Sequence, residues 1–215
     1  MVRERTLTAA VILLAIPGGN LVGQTAPVDT TSLSEAPYGR MRMLWEKTIF
    51  QVDVLTLDVR FGRPTAQRFA ELVRGRESSS ALVDTIANVA AHATDVWARI
   101  RFERNVSLNQ FVDGVRDNAA AARDAGLITD PEFAEIYDGL PQWYAFLSET
   151  GIKDGDEMFY RIRGDTLRTI YRTVQGETRL DRTDFGRFRR LSVMGGYFAP
   201  KSDFRKGLIA SLFGR

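Results

Sequence analysis

Residues 95–104 alternate between an apolar and a mainly charged set of side chains, and this pattern restricts the fold strongly. Every second position holds Val96, Ala98, Ile100 or Phe102, and most of the positions between them are charged. Successive side chains of a strand point to opposite faces, so the pattern predicts a β-strand with one face against a core. Strands of this kind are typical of antiparallel sheets that are covered on one side.

Residues 48–61 also alternate, but the apolar positions change phase between Val54 and Leu55. A regular strand cannot change phase, because its side-chain period is two. We therefore expect a β-bulge, or a strand covered on both faces, near that point. Residues 40–45 form a candidate first strand, and residues 157–163 and 167–174 flank a Gly164–Asp165 turn and predict a hairpin.

Helical periodicity and capping signals predict helices between and after these strands. Ser107 and Gln110 have the spacing of a capping box. Gly139 and Pro141 are expected to interrupt the helix that follows Thr129. The predicted helices cover residues 65–73, 80–93, 108–125, 130–148 in two segments, 181–194 ended by Gly195 and Gly196, and a last helix capped by Ser202 or Asp203.

The order of these segments predicts an α+β domain with a largely antiparallel sheet and helices gathered on one face. The chain has 215 residues, of which 44% are hydrophobic, so one core and one domain are expected. We place this domain at residues 37–215, after a loose lead-in of Thr, Ser and Pro at residues 25–36.

Residues 1–24 have the features of a secretory signal peptide. Arg3 and Arg5 precede a short apolar run, and Pro17 and Gly18 break it. The alternatives are an uncleaved anchor or a buried N-terminal helix. Cleavage predicts an exported protein, periplasmic or secreted, with no stable membrane insertion after the leader is removed.

Composition excludes several kinds of site. The chain has no cysteine, which removes disulfides, thiolate metal sites and cysteine nucleophiles. Its single histidine, His92, lies near the end of a predicted helix, where it is expected to be solvated. We predict no metal site and no cofactor. The net charge of +2 does not indicate nucleic acid, and a solvated helix face explains the cluster of Arg187, Arg189 and Arg190.

Several segments, in order, resemble the chalcone isomerase family, and more closely its bacterial, exported branch. They are residues 38–42 with 50–52, the helix segment 111–118, the segment 126–132, the glycine-containing segment 153–156 before a hairpin, and residues 197–202 before a short helix. The resemblance implies an open-faced β-sandwich, in which a curved antiparallel sheet carries a helical layer on one face and a ligand cleft lies between them. In the plant enzymes an arginine in this cleft stabilises a phenolate, and non-catalytic relatives bind fatty acids there.

The family's site residues transfer only in part. Arg40 and Arg42 compete for the arginine position, and on one strand both would point to the same face. Asn118 matches the family's asparagine. The remaining three positions carry no hydroxyl: Phe111 replaces a tyrosine, Asp53 a threonine, and Phe185 a serine or threonine. Flavanone-forming catalysis is therefore not expected.

These residues leave three interpretations open. In the first, the chain is a non-catalytic exported protein whose cleft binds a small apolar or fatty-acid-like carboxylate, oriented by an arginine. In the second, it is an isomerase or intramolecular lyase in which Asp53 acts as a base and Asn118 orients the substrate. In the third, Asp53 pairs with Arg40 or Arg42 and closes the site, and the phenylalanines fill the core.

Overall fold

The computed structural model describes residue 30, residues 33–47 and residues 52–214, so the predicted leader at residues 1–24 lies outside the described residues. Six strands form one sheet in sequence order, and each strand is antiparallel to the next. They are β1 (Arg40–Lys47), β2 (Val52–Phe61), β3 (Asp95–Phe102), β4 (Glu157–Arg163), β5 (Thr166–Arg172) and β6 (Thr178–Phe185).

The helices pack against one face of this sheet, which confirms the predicted α+β class and its open-faced arrangement. They are α1 (Arg63–Val73), α2 (Ser80–Ala91), α3 (Leu108–Asp124), α4 (Asp130–Trp143), α5 (Arg187–Phe198) and α6 (Arg205–Ala210). Phe61 of β2 contacts Phe69 of α1 and Phe198 of α5, and Phe102 of β3 contacts Phe111 of α3. Within the described part of the chain, no helix combines the length and apolarity needed to cross a bilayer.

The two faces of the sheet differ sharply in chemistry. The helix face, which is covered by the helices, carries buried apolar residues such as Met41, Leu57, Val59, Ile100 and Met158. The open face, which is turned away from the helices, is rich in arginine. Its members include Arg40, Arg42, Asp58, Arg60, Trp97, Arg99, Arg101, Phe159, Arg161, Arg168, Ile170 and Arg172.

The predicted irregularity in the second strand is a β-bulge. Trp45 lies opposite Leu55 and Glu46 lies opposite Asp53, so Val54 is an extra residue with no partner on β1. Val54 and Leu55 are both buried although they are adjacent in sequence. The bulge therefore explains the phase change of the apolar pattern.

The predicted caps of α3 and α4 are confirmed, whereas the predicted cap of the last helix is wrong, because the N-cap of α6 is Phe204 and not Ser202 or Asp203. Ser107 and Gln110 form the predicted capping box at the start of α3, and Thr129 and Glu132 form a second one at α4. Gly126 follows α3 with a φ of 71°, which a residue with a side chain rarely adopts. His92 follows α2 as an exposed C-cap, and its Nδ1 lies 2.9 Å from the carbonyl oxygen of Asn88.

The helix predicted at residues 181–194 is confirmed from Arg187 onward, but its predicted start and end are wrong. Thr178–Phe185 is the edge strand β6, and α5 begins only at Arg187. Gly195 and Gly196 do not end α5 but lie inside it, where it packs on α3. A Cβ atom at Gly195 would approach Ala122 to 2.4 Å, and one at Gly196 would approach Asn118 to 2.7 Å. The glycines therefore allow close packing of two helices.

The predicted interruption of α4 is also wrong, because the helix continues through Gly139 and Pro141 to Trp143. Pro141 has no N–H to donate to the carbonyl of Tyr137, so one helical hydrogen bond is missing, but the backbone N–H of Tyr144 still donates to the carbonyl of Leu140 at 3.2 Å. The ring of Trp143 folds back over Gly139, where a Cβ atom would lie 2.4 Å from the indole. Only a short 3-10 turn, Ala145–Leu147, follows.

Candidate ligand-binding site

Arg40 and Arg42 share one face of β1 as predicted, but that face is the open one. Arg40 lies opposite Arg60 and Arg42 lies opposite Asp58, whereas Met41 between them is fully buried under the helices. Neither arginine is therefore beneath the helical layer. The prediction that Arg40 or Arg42 lies in a cleft under the helices is therefore wrong, because alternation along β1 directs Met41 to the helices and both arginines to the opposite face.

The carboxylate that holds Arg40 is Asp58. Arg40 donates from Nε and Nη2 to the two oxygens of Asp58, a residue with 0% exposure. This hydrogen bonding raises the pKa of Arg40, and partial burial opposes the shift. The side chain of Asp53 lies outside the described residues. Its backbone pairs with Glu46 at the bulge, so the structure assigns the predicted Arg–Asp pair to a different aspartate.

The remaining predicted residues lie apart from these arginines. Phe111 is buried in the helix layer with its ring 4.9 Å from that of Tyr144. Asn118 is half-buried beside Gly196 of α5. Phe185 is 76% exposed at the end of β6, and by register it belongs to the open face. The sheet thus separates Asn118 from Arg40, and ligand contact by any of these residues stays a prediction.

A different group of polar residues lies between the sheet and the helices. Tyr160, Thr169 and Arg182 are directly opposite one another on β4, β5 and β6, and all three belong to the helix face. Tyr144, which follows α4, and Tyr197 of α5 are buried above them. Tyr160 interacts electrostatically with both of these tyrosines and with Arg182. We call these five residues the tyrosine–arginine cluster.

The cluster supplies hydrogen-bond donors in an apolar setting. Burial raises the pKa of Tyr144, Tyr160 and Tyr197, so these phenols stay protonated at neutral pH. Arg182 donates from Nε to Asp184 Oδ2 at 2.9 Å, and its guanidinium lies 4.5 Å from the centroid of the Trp143 ring. Neutral phenols and a guanidinium together can bind an oxyanion, which needs donors and a compensating charge.

Sequence reasoning missed Arg182 because it assigned residues 181–194 to a helix. Read as a strand, residues 178–185 place Leu180, Arg182 and Asp184 on the same face. The buried tyrosines carried no sequence pattern that singled them out. Among the described residues, no three His, Asp or Glu side chains come together in the way that a metal ion would require.

Two open concavities lie away from this cluster. One, of about 340 Å³, is lined by residues 105–108 and 148–153. The other, of about 490 Å³, lies between α1 and α2 and is lined by Leu72, Leu82 and their neighbours. Neither concavity is lined by a member of the tyrosine–arginine cluster. In the cluster, the ring of Trp143 lies against the guanidinium of Arg182.

We expect the protein to unfold in alkali as its buried tyrosines ionise. Burial raises the folded-state pKa of Tyr144, Tyr160, Tyr171 and Tyr197 above the usual value of about 10. Their stabilising contribution is therefore complete below about pH 10 and is lost as the pH rises further. Phenolate absorbance and circular dichroism should change together during an alkaline titration.

The control for this titration is the same chain in concentrated urea, where the tyrosines should ionise near their ordinary value of about 10. If the folded protein gained the full phenolate absorbance of its six tyrosines in that range while its circular dichroism stayed constant, the four tyrosines named above would not be buried as described.

Comparison with known proteins gives likenesses to solved structures but no match in sequence. No family model and no curated protein matches the sequence. The crystal structure of the fatty-acid binding protein AtFAP1 of Arabidopsis thaliana is similar to this chain with a TM-score of 0.49 and 9% sequence identity. The match covers 81% of this chain and 87% of the other.

Proposed function

We propose that this chain binds a small apolar carboxylate between its sheet and its helices, with the carboxylate held by Arg182. The observation that supports this role is the tyrosine–arginine cluster, in which three buried, protonated phenols lie near the partly buried guanidinium of Arg182. Arg182 Nε donates a hydrogen bond to Asp184 Oδ2 at 2.9 Å, so this position already accommodates a carboxylate. A ligand would take the place of Asp184.

The two parts of such a ligand contribute differently to affinity. A charged hydrogen bond to Arg182 contributes about 1.5–3 kcal/mol. Each buried methylene contributes about 0.8 kcal/mol, so a tail of roughly 12 carbons gives at most about 10 kcal/mol before the costs of association. The tail therefore sets the affinity, and Arg182 sets the orientation and the preference for an acid.

The first test is to purify the protein natively and identify extracted molecules by mass spectrometry. A long-chain fatty acid and its methyl ester are then titrated into the delipidated protein. Arg182→Gln should weaken binding of the acid about ten- to a hundredfold and leave binding of the ester nearly unchanged. Arg179→Gln is the matched control, because Arg179 is an exposed arginine of the same strand and is not a member of the cluster.

Other outcomes would reject the proposal. Equal loss in the two variants would exclude a specific role for Arg182. If instead Arg40→Ala or Arg42→Ala abolished binding, the ligand would lie on the open face. Arg40 and Arg42, the arginines predicted from the sequence, would then replace Arg182 as the binding residues.

We also propose that the protein is exported and belongs to a non-catalytic branch of chalcone isomerase-like proteins. The leader-like residues 1–24 and the ordered motif resemblances support this proposal. N-terminal sequencing of protein recovered from outside the cytoplasm should give a chain that begins near residue 25. A chain that retains Met1 in that fraction would contradict cleavage.

A further inference from the structure

The open face carries guanidinium groups that its own carboxylates do not match. Arg99 Nη1 lies 3.7 Å from Glu157, and Arg101 Nε lies 3.8 Å from Glu103, so both ion pairs are loose. By contrast, Arg168 and Asp181 on the same face form two hydrogen bonds of 2.7 and 2.8 Å.

Two further arginines on this face have no carboxylate partner among the described residues. The Arg42 side chain is exposed on β1 and makes no ion pair there. Arg172 of β5 is placed over the ring of Phe159, with 5.4 Å between its Cζ and the ring centroid. We call Arg42, Arg99, Arg101 and Arg172 the arginine patch. Its four positive charges share the face with the two carboxylates of the loose pairs and with Asp58, which lies opposite Arg42 and Arg99 but whose two oxygens accept hydrogen bonds from Arg40.

Exposed apolar side chains lie on the same face, on the two outermost strands. Leu44 of β1 is 47% exposed and lies opposite Thr56, and Phe185 of β6 is 76% exposed and lies opposite Thr166. Both register positions belong to the open face. The arginine patch is thus flanked at both edges of the sheet by apolar side chains that point in the same direction.

We propose that the open face binds the surface of an anionic lipid membrane. Guanidinium groups pair with lipid phosphates, and Leu44 and Phe185 enter the headgroup region at the margins. The contact is peripheral and independent of the carboxylate site, because that site lies on the other side of the sheet.

The shape of the face favours a membrane over an acidic polypeptide. The arginine patch runs from β1 to β5, and four strand spacings of about 4.8 Å spread its members over roughly 19 Å. Neither of the two concavities described above lies on this face. The four guanidiniums belong to three different strands, around the buried cluster of Leu33, Trp97, Phe159 and Ile170, so phosphates distributed over a surface can pair with them, whereas a single extended chain that follows one strand meets fewer of them.

The test is cosedimentation of the full protein with vesicles of phosphatidylglycerol in phosphatidylcholine, and with vesicles of phosphatidylcholine alone. We expect binding to the anionic vesicles only, and its loss at high salt. The double substitution Arg42→Gln and Arg172→Gln should weaken binding about thirtyfold, because each basic residue near an anionic surface contributes about a fivefold effect. Phe185→Ser should weaken binding while leaving its salt dependence unchanged.

Arg63→Gln with Arg74→Gln is the matched control, because these exposed arginines flank α1 and the variant loses the same charge. Thermal melting checks that each variant is folded. Equal weakening by the control pair would overturn the proposal, since net charge alone would then explain binding. Binding to polyglutamate or to DNA without binding to anionic vesicles would also overturn it.

Discussion

Replacing Asp58 by Asn should lower the free energy of unfolding by about 1.5–3 kcal/mol, because it removes the buried carboxylate that accepts two charged hydrogen bonds from the partly exposed Arg40. Asp58 is completely buried on β2 and accepts two hydrogen bonds from Arg40, and Arg60 Nε lies 3.8 Å away. By register Arg42 and Arg99 are its direct neighbours on β1 and β3. Urea unfolding followed by circular dichroism measures the loss.

Asp181→Asn is the control for this substitution, since it breaks a similar two-point Arg–Asp contact in a more exposed place. The side chains of Asp181 and Arg168 are 22% and 32% exposed. Exposed ion pairs contribute about 0–1 kcal/mol, so this variant should unfold almost like the parent protein. Equal losses in Asp58→Asn and Asp181→Asn would show that burial of Asp58 is not what makes the pair important.

The double variant of Asp58→Asn with Arg40→Gln separates the charge from the packing. Removal of Arg40 relieves the uncompensated charge, so the double variant should be more stable than Asp58→Asn alone. If it were less stable by the sum of the two single losses, the two side chains would act independently and the proposed pairing would be rejected.

The sequence predicted those parts of the fold that carry a local signal. Alternation identified β3, and the phase change at Val54 identified the bulge, because a half-buried strand must place apolar residues at every second position. Ser107 and Thr129 marked helix starts through contacts within one turn. Strand β6 carries no such signal. It is an edge strand with charged residues on both faces, and its stability depends on pairing with β5 rather than on burying an apolar row.

The candidate site was predicted less well than the fold. Met41 and Met43 alternate with Arg40 and Arg42, so the apolar set had to face the core and the arginines had to face outward. The resemblance to the chalcone isomerase family instead favoured a position for one of these arginines in the cleft. Arg182 could not be placed on the helix face until β6 was known to be a strand. The contact between Tyr144 and Tyr160 depends on packing between distant segments, which no local pattern reports.

We expect Asp156→Ala to be the other strongly destabilising substitution, with a loss of about 3–5 kcal/mol. Asp156 is 2% exposed and lies just before β4. Its carboxylate accepts hydrogen bonds from the backbone N–H groups of Lys153 and Val174 and from the hydroxyl of Tyr171. The substitution leaves these donors without an acceptor, and each unsatisfied buried donor costs about 1–3 kcal/mol. Urea unfolding measures the effect.

Asp154→Ala in the same turn is the matched control, because Asp154 is exposed and contributes only its backbone N–H, which donates to Asn105. Its loss should stay within about 0.5 kcal/mol. Tyr171→Phe removes a single donor and should cost about 1 kcal/mol, since the carboxylate keeps its two backbone partners. If Asp156→Ala lowered the stability no more than Tyr171→Phe, the hydrogen bonds from Lys153 and Val174 to the carboxylate would not stabilise the fold. The proposed role of Asp156 in connecting the turn before β4 with the end of the β4–β5 hairpin would then be rejected.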